Sequence, residues 1–149
     1  MNITLYAHGG SANHGCEAIV RSTVRLLSNE CVCISLLSEG FNQDISYNLD
    51  EIIDVKPSVL PNSKWHNLVH QIWMKVLRND YAHYKYVYHK AISQLKDVDF
   101  ALAIGGDNYC YDGMLPRFSA MNQLFINERI PIGLWGCSID DLRFNKALT

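Results

Sequence analysis

Three short polar clusters are the places in this chain where chemistry could be done: Asn13-His14-Gly15-Cys16-Glu17, Gly105-Gly106-Asp107-Asn108-Tyr109 and Gly136-Cys137-Ser138-Ile139-Asp140. Carboxylates such as Asp107 and Glu17 can position a hydroxyl or accept its proton. Asn13, Asn108, Tyr109 and Ser138 offer the hydrogen bonds and the stacking face that a polyol needs. Glycines at 15, 105, 106 and 136 let the backbone approach a ligand closely. Simpler duties compete with this reading. Asn13 can cap a helix, and Glu17 has Arg21 one helical turn later, a spacing that suits an exposed ion pair. Asp107 follows two glycines at the end of a buried strand, where a carboxylate needs partners or water, and capping its own loop is the competing duty.

Each cluster follows a run that reads as a strand. Residues 100–104 are apolar, too short for a helix and bounded by turn residues, which predicts a strand covered on both faces. Ile3 to His8 forms a first strand, followed by a glycine turn and a helix from His14 to Ser28 with Ala18, Ile19, Thr23, Val24 and Leu27 as its buried stripe. Cys31 to Leu37 is a second strand. A polar stretch with Asn42, Gln43 and Asp44 leads to a short strand at Ile52 to Val55, before Pro57 and Pro61 break the backbone. From Ser63 to Leu95 the period is helical, with Trp65, Leu68, Val69, Ile72, Trp73, Val76 and Leu77 in one stripe and Tyr84, Val87, Tyr88, Ala91 and Leu95 in another. Two helices with a break near Asn79-Asp80 are expected, their stripes meeting a core or a partner. A helix from Pro116 to Glu128, a last strand from Ile130 to Trp135 and the start of another helix beyond Asp140 complete the pattern.

Strands alternating with helices predict an α/β fold, a Rossmann-like doubly wound parallel sheet in the order three, two, one, four, five. Strands one and four then meet at the switch point. The loops Gly9 to Glu17 and Gly105 to Tyr111 face each other across one crevice, with the Gly136 to Asp140 loop beside the second.

A chain of 149 residues makes one domain. Its formal charge of -2 provides no broad basic surface, which disfavours nucleic acid as a partner. No apolar run approaches the roughly 20 residues of a membrane span, and the N-terminus lacks the form of a signal peptide. The expected location is cytoplasmic, either free or peripheral at the inner face of the membrane. Cys31 and Cys33 fall on one side of a predicted strand and are expected to be small buried thiols in a reducing compartment.

Other chemistries are less well supported. Gly10 and Gly15 have the separation of a phosphate loop, but Cys16-Glu17 stands where lysine and a hydroxyl residue belong. Glu39, after strand two, sits where a ribose-binding acid would. A free-standing nucleotide- or sugar-binding module is therefore the alternative, and an interaction domain built on the helices from Trp65 to Tyr88 is a third reading. His66 and His70 are four apart without the intervening Glu of a metalloprotease. Cys16, Cys110 and Cys137 share the converging loops without a paired metal-binding spacing. No metal is expected, and nothing local activates Cys137 as a nucleophile.

Taken together, Asn13-His14-Gly15-Cys16-Glu17-Ala18, Ile104-Gly105-Gly106-Asp107-Asn108-Tyr109 and Leu134-Trp135-Gly136-Cys137-Ser138-Ile139 resemble, in order and spacing, the N-terminal half of the polysaccharide pyruvyl transferase family. The resemblance covers nearly the whole chain. It implies one half of a GT-B-like architecture and an enzyme that transfers the enolpyruvyl unit of phosphoenolpyruvate to two hydroxyls of a sugar, forming a ketal in exopolysaccharide or cell-surface polysaccharide synthesis. By this resemblance Asp107 and Glu17 are the catalytic carboxylates, and Asn13, Gly15, Gly105, Gly106, Asn108, Tyr109, Gly136 and Ser138 line the acceptor site. There is no cofactor besides the donor, and the partners are a carbohydrate acceptor, phosphoenolpyruvate and a C-terminal domain that carries the cationic clamp. Asp140 departs from the family, which usually has glycine after Ser-Ile.

Overall fold

The computed structural model describes residues 1–28, 30–77 and 79–138. Five strands, β1 (Asn2–His8), β2 (Cys33–Ser38), β3 (Asp54–Pro57), β4 (Phe100–Ile104) and β5 (Ile132–Trp135), form one sheet in the order β3-β2-β1-β4-β5. Every pairing is parallel, so this is the doubly wound α/β arrangement that the alternation of elements predicts. The helix expected beyond Asp140 lies outside the described residues.

Period-two alternation divides the sheet residues between two cores. Ile3, Leu5, Leu36, Leu102 and Ile104 pack with Val20, Ile19 and Val24 of α1 (His14–Leu27). On the other face Tyr6, Ala101 and Ala103 meet Tyr88 and Ile92 of α4 (Asp80–Ser93) and Phe118, Met121 and Phe125 of α5 (Leu115–Asn127). Local sequence sets the helix starts. Asn13 Oδ1 accepts from Gly15 N at 3.0 Å, Asn79 Oδ1 accepts from Ala82 N at 3.1 Å, and Pro116 occupies the first turn of α5.

Four expectations need correction. Ala18 is exposed and Val20 takes its place in the buried stripe of α1. Cys31 and Cys33 are exposed rather than buried, because β2 runs toward the core only from Leu36 onward. Pro57 does not break the weak strand but ends it, opposite Ser38; β3 is an edge strand, where a missing amide leaves no ladder bond unmade. The polar stretch after β2 is a short helix, α2 (Phe41–Ser46).

The break at Asn79 does divide two helices, α3 (Lys64–Leu77) and α4. Among the described side chains, those of α4 turn their stripe inward. On α3, Trp65, Leu68, Val69 and Ile72 face solvent, and the side chains of His66, Trp73, Val76 and Leu77 lie outside the described residues.

Candidate functional site

The switch point between β1 and β4 opens into a crevice of about 410 Å³. The β1 loop contributes Gly9, Gly10, Ala12, Asn13 and Cys16 to its walls, and the β4 loop contributes Asp107 and Asn108. The end of β2 and α2 supply Glu39 and Gln43, and α5 supplies Arg117 and Phe118.

Close backbone approach shapes this rim. Gly10 has φ +119°, and a Cβ on Gly40 would lie 2.7 Å from Gly10 Cα, so the loops after β1 and β2 can touch only as glycines. Across the crevice Gly105 has φ +144°, and a Cβ there would fall 2.1 Å from Asn108 Nδ2. Asn108 donates that amide to Ala7 O at 2.8 Å and Ile104 O at 3.0 Å. It therefore ties the ends of β1 and β4 together, and its role is to hold the rim rather than to offer its amide to a ligand.

The predicted site residues separate on inspection. Asn13 and Asp107 line the crevice on opposite loops, and Asp107 is exposed. Gly15 and Gly106 are exposed on the same two loops. Gly136 and Ser138 belong to the neighbouring loop after β5, which touches the second: Ser138 N donates to Gly106 O, and Cys110 Sγ donates to Ser138 O at 3.3 Å. Two of the residues lie apart from the crevice wall. Tyr109 offers no stacking face, because its ring is fully buried and its hydroxyl donates to Asn122 Oδ1 at 3.1 Å. Glu17 is not among the crevice-lining residues. It accepts from Arg21 Nε at 2.8 Å and pairs with His14 at 3.3 Å. Those hydrogen bonds, Arg21's first, hold its carboxyl below the usual range, which makes it a weaker base.

The phenol beside the site is Tyr111, two residues further on. It is exposed, and its hydrogen bond to Asp107 favours the protonated hydroxyl and pushes its pKa up. Sequence could have offered Tyr111 as readily as Tyr109, since both follow Asp107 within a few residues of the same loop.

Two polar clusters escaped the sequence reading. Asp44 of α2 is completely buried and accepts at Oδ1 from Ser11 N (2.8 Å), Ser11 Oγ (2.6 Å) and His8 Nε2 (3.0 Å). Burial alone would raise its pKa, yet the hydrogen bonds, led by Ser11's, keep it below the ordinary value. The second cluster joins Glu39, Arg117 and Tyr88. Arg117 forms an ion pair with Glu39, Arg117 Nε donates to Tyr88 Oη at 2.8 Å, and Tyr88 donates to Glu39 Oε1 at 2.9 Å. Glu39 is thus occupied where a ribose-binding acid would have to be free. Arg117, the one cation among the described residues lining the crevice, is neutralised by it.

The thiols are poorly prepared for attack. Burial, and next the charge of Asp107, push Cys16 up. Burial takes Cys137 up to about 11, and its thiol donates to Ala103 O at 3.2 Å. His70 is paired with His83 through Nε2 and Nδ1 at 2.9 Å. No group of three metal-ligating side chains occurs among the described residues.

Neither a scan against protein-family models nor a search of the curated proteins gives a match to this chain.

Proposed function

We propose that the chain is the acceptor-side half of a polysaccharide pyruvyl transferase-like enzyme, which holds a carbohydrate between the β1 and β4 loops. The observation that carries this reading is the exposed carboxylate of Asp107 on the wall of a crevice at the sheet's switch point, opposite Asn13 and beside Tyr111. Ligands of open α/β sheets bind there, and the volume falls within the range of about 300–1,000 Å³ common to small-ligand sites.

In pyruvyl transfer the methylene carbon of phosphoenolpyruvate takes a proton and its C2 becomes electrophilic. One sugar hydroxyl then adds to C2, the C2–O bond to phosphate breaks, and a second hydroxyl closes the ketal. Of the two hydroxyl protons released, one balances the new methyl group and the other leaves with phosphate. In this reading Asp107 accepts a hydroxyl proton, and Asn13 and Tyr111 orient the sugar. Holding the donor's phosphate and carboxylate requires free cations. Arg117 is committed to Glu39, so that duty goes to a partner domain, the C-terminal half of the resemblance.

The test uses saturation-transfer NMR on the 149-residue chain with glycosides bearing adjacent free hydroxyls, with nucleotides as the control. Glycoside signals are expected from the wild type and lost with Asp107→Ala. In the gene product including whatever chain follows Thr149, phosphate release from phosphoenolpyruvate with acceptor should fall by about 10²-fold or more on the same substitution. Binding of nucleotides without glycosides would replace this reading with that of a nucleotide module.

A further inference from the structure

Helix α3 is turned inside out. Its polar side is the one attached to the protein: His70 stacks on Tyr86 with ring centroids 3.9 Å apart and on His83 at 5.2 Å, while Asn67 Oδ1 accepts from Tyr86 Oη at 3.3 Å. At 100° per residue, Trp65, Leu68, Val69 and Ile72 fall on one stripe away from that contact. They are 72%, 47%, 50% and 59% exposed. Neither hydrophobic core includes any described residue of α3. Nearly one whole face of a four-turn helix is therefore apolar and uncovered by the rest of the described chain, more than scattered surface residues account for.

Charge indicates what covers it. Residues 55–79 contain none of the fifteen Asp and Glu of the chain but four of its thirteen Lys and Arg, namely Lys56, Lys64, Lys75 and Arg78. The protein as a whole is acidic, at -2; Lys56 is paired with Asp54 at 2.9 Å, and the remaining Lys64, Lys75 and Arg78 make the α3 segment locally cationic in sequence. On the helical wheel Lys64 and Lys75 fall together along one border of the apolar stripe. An exposed apolar face with Trp, Leu and Ile, bordered by lysines and free of acids, is the pattern of a helix lying in a membrane interface. Among the described residues no helix is long and apolar enough to cross a membrane, so the contact would be superficial.

We infer that α3 docks the protein onto an anionic lipid bilayer, with Trp65, Leu68, Val69 and Ile72 entering the headgroup boundary and Lys64 and Lys75 meeting lipid phosphates. A second copy of the chain is disfavoured, because two cationic segments would face each other. The inference stands independently of the proposed reaction, since no described residue of α3 lines the crevice.

Flotation of the 149-residue chain with phosphatidylcholine vesicles, with and without phosphatidylglycerol, provides the test. The expected result is binding that requires phosphatidylglycerol, weakens as salt is raised and shifts tryptophan emission to the blue. Ile72→Glu and Leu68→Glu should each lower vesicle affinity at least about tenfold, and Lys64→Glu or Lys75→Glu about fivefold. All four sites are on the surface, and an unchanged circular dichroism spectrum and urea midpoint establish that the variants fold. Failure of the wild type to float overturns the inference, as do folded Glu variants that float equally well. It is likewise overturned if the chain dimerises without lipid, Ile72→Glu breaks the dimer and vesicles are ignored.

Discussion

Two aspartates, one behind a wall of the crevice and one on it, have opposite fates. Asp44 lies behind the β1 loop with no exposed surface, and three donors from Ser11 and His8 converge on one of its oxygens. Asp107 lies across the opening on the β4 loop, exposed, with the exposed phenol of Tyr111 against it. A carboxylate can do structural work when the fold surrounds it with donors, and it can do chemistry when its oxygens remain accessible to a ligand. The fold uses one of each: Asp44 fixes the loop that forms one wall, and Asp107 stands exposed on the other.

Removing Asp44 should have the largest consequence. Asp44→Ala strands Ser11 and His8 inside the protein and is expected to cost about 3–5 kcal/mol in a urea titration. Asp44→Asn keeps an acceptor oxygen for Ser11 and should cost less. A midpoint unchanged in both would mean that the β1 loop does not depend on this carboxylate.

Acid should act on the same cluster more gently. The folded-state pKa of Asp44 is depressed, so its stabilising contribution is complete above its unfolded value of about 4 and is lost as pH falls through the lower folded value. Wild type should therefore lose stability on the acid side more steeply than Asp44→Ala, when urea midpoints are followed from neutral pH downward. Parallel curves for the two proteins would remove Asp44 from the acid response.

Why one aspartate was visible in the sequence and the other was not is a matter of range. Asp107 directly follows a recognisable buried strand and two glycines, so its place at a strand end is local information. The partners of Asp44 lie 33 and 36 residues away, and α2 is too short for its period to distinguish it from a polar loop. Sheet order was legible because the run lengths and alternation of apolar segments repeat along the whole chain. Tyr109 misled because a phenol belongs to either environment: its polar neighbours suggested the crevice, while Phe118 and Asn122 provided a buried niche. The α3 stripe was legible as a face, but periodicity does not say what a face meets. Its neighbour α4, with a comparable period, goes into the core, because Tyr88, Ala91 and Ile92 sit over the sheet.

The smallest effect on stability should come from Asp107→Ala, and that near-silence is what distinguishes it from Asp44. An exposed side chain whose described partner is another exposed side chain contributes little to folding, so the urea midpoint should correspond to a change within about 0.5 kcal/mol. The substitution should still be felt by Cys16, whose thiol is pushed up first by burial and then by the charge of Asp107. Losing that charge leaves the burial in place, so the thiol pKa should move down but only part of the way, read as faster alkylation of Cys16 at a fixed mildly alkaline pH. With stability kept, Cys16 more reactive and glycoside binding gone, Asp107 would be a group the fold holds out for a ligand. If the midpoint instead falls as far as in Asp44→Ala, both aspartates are braces, and the crevice has lost the one carboxylate proposed to act on a sugar.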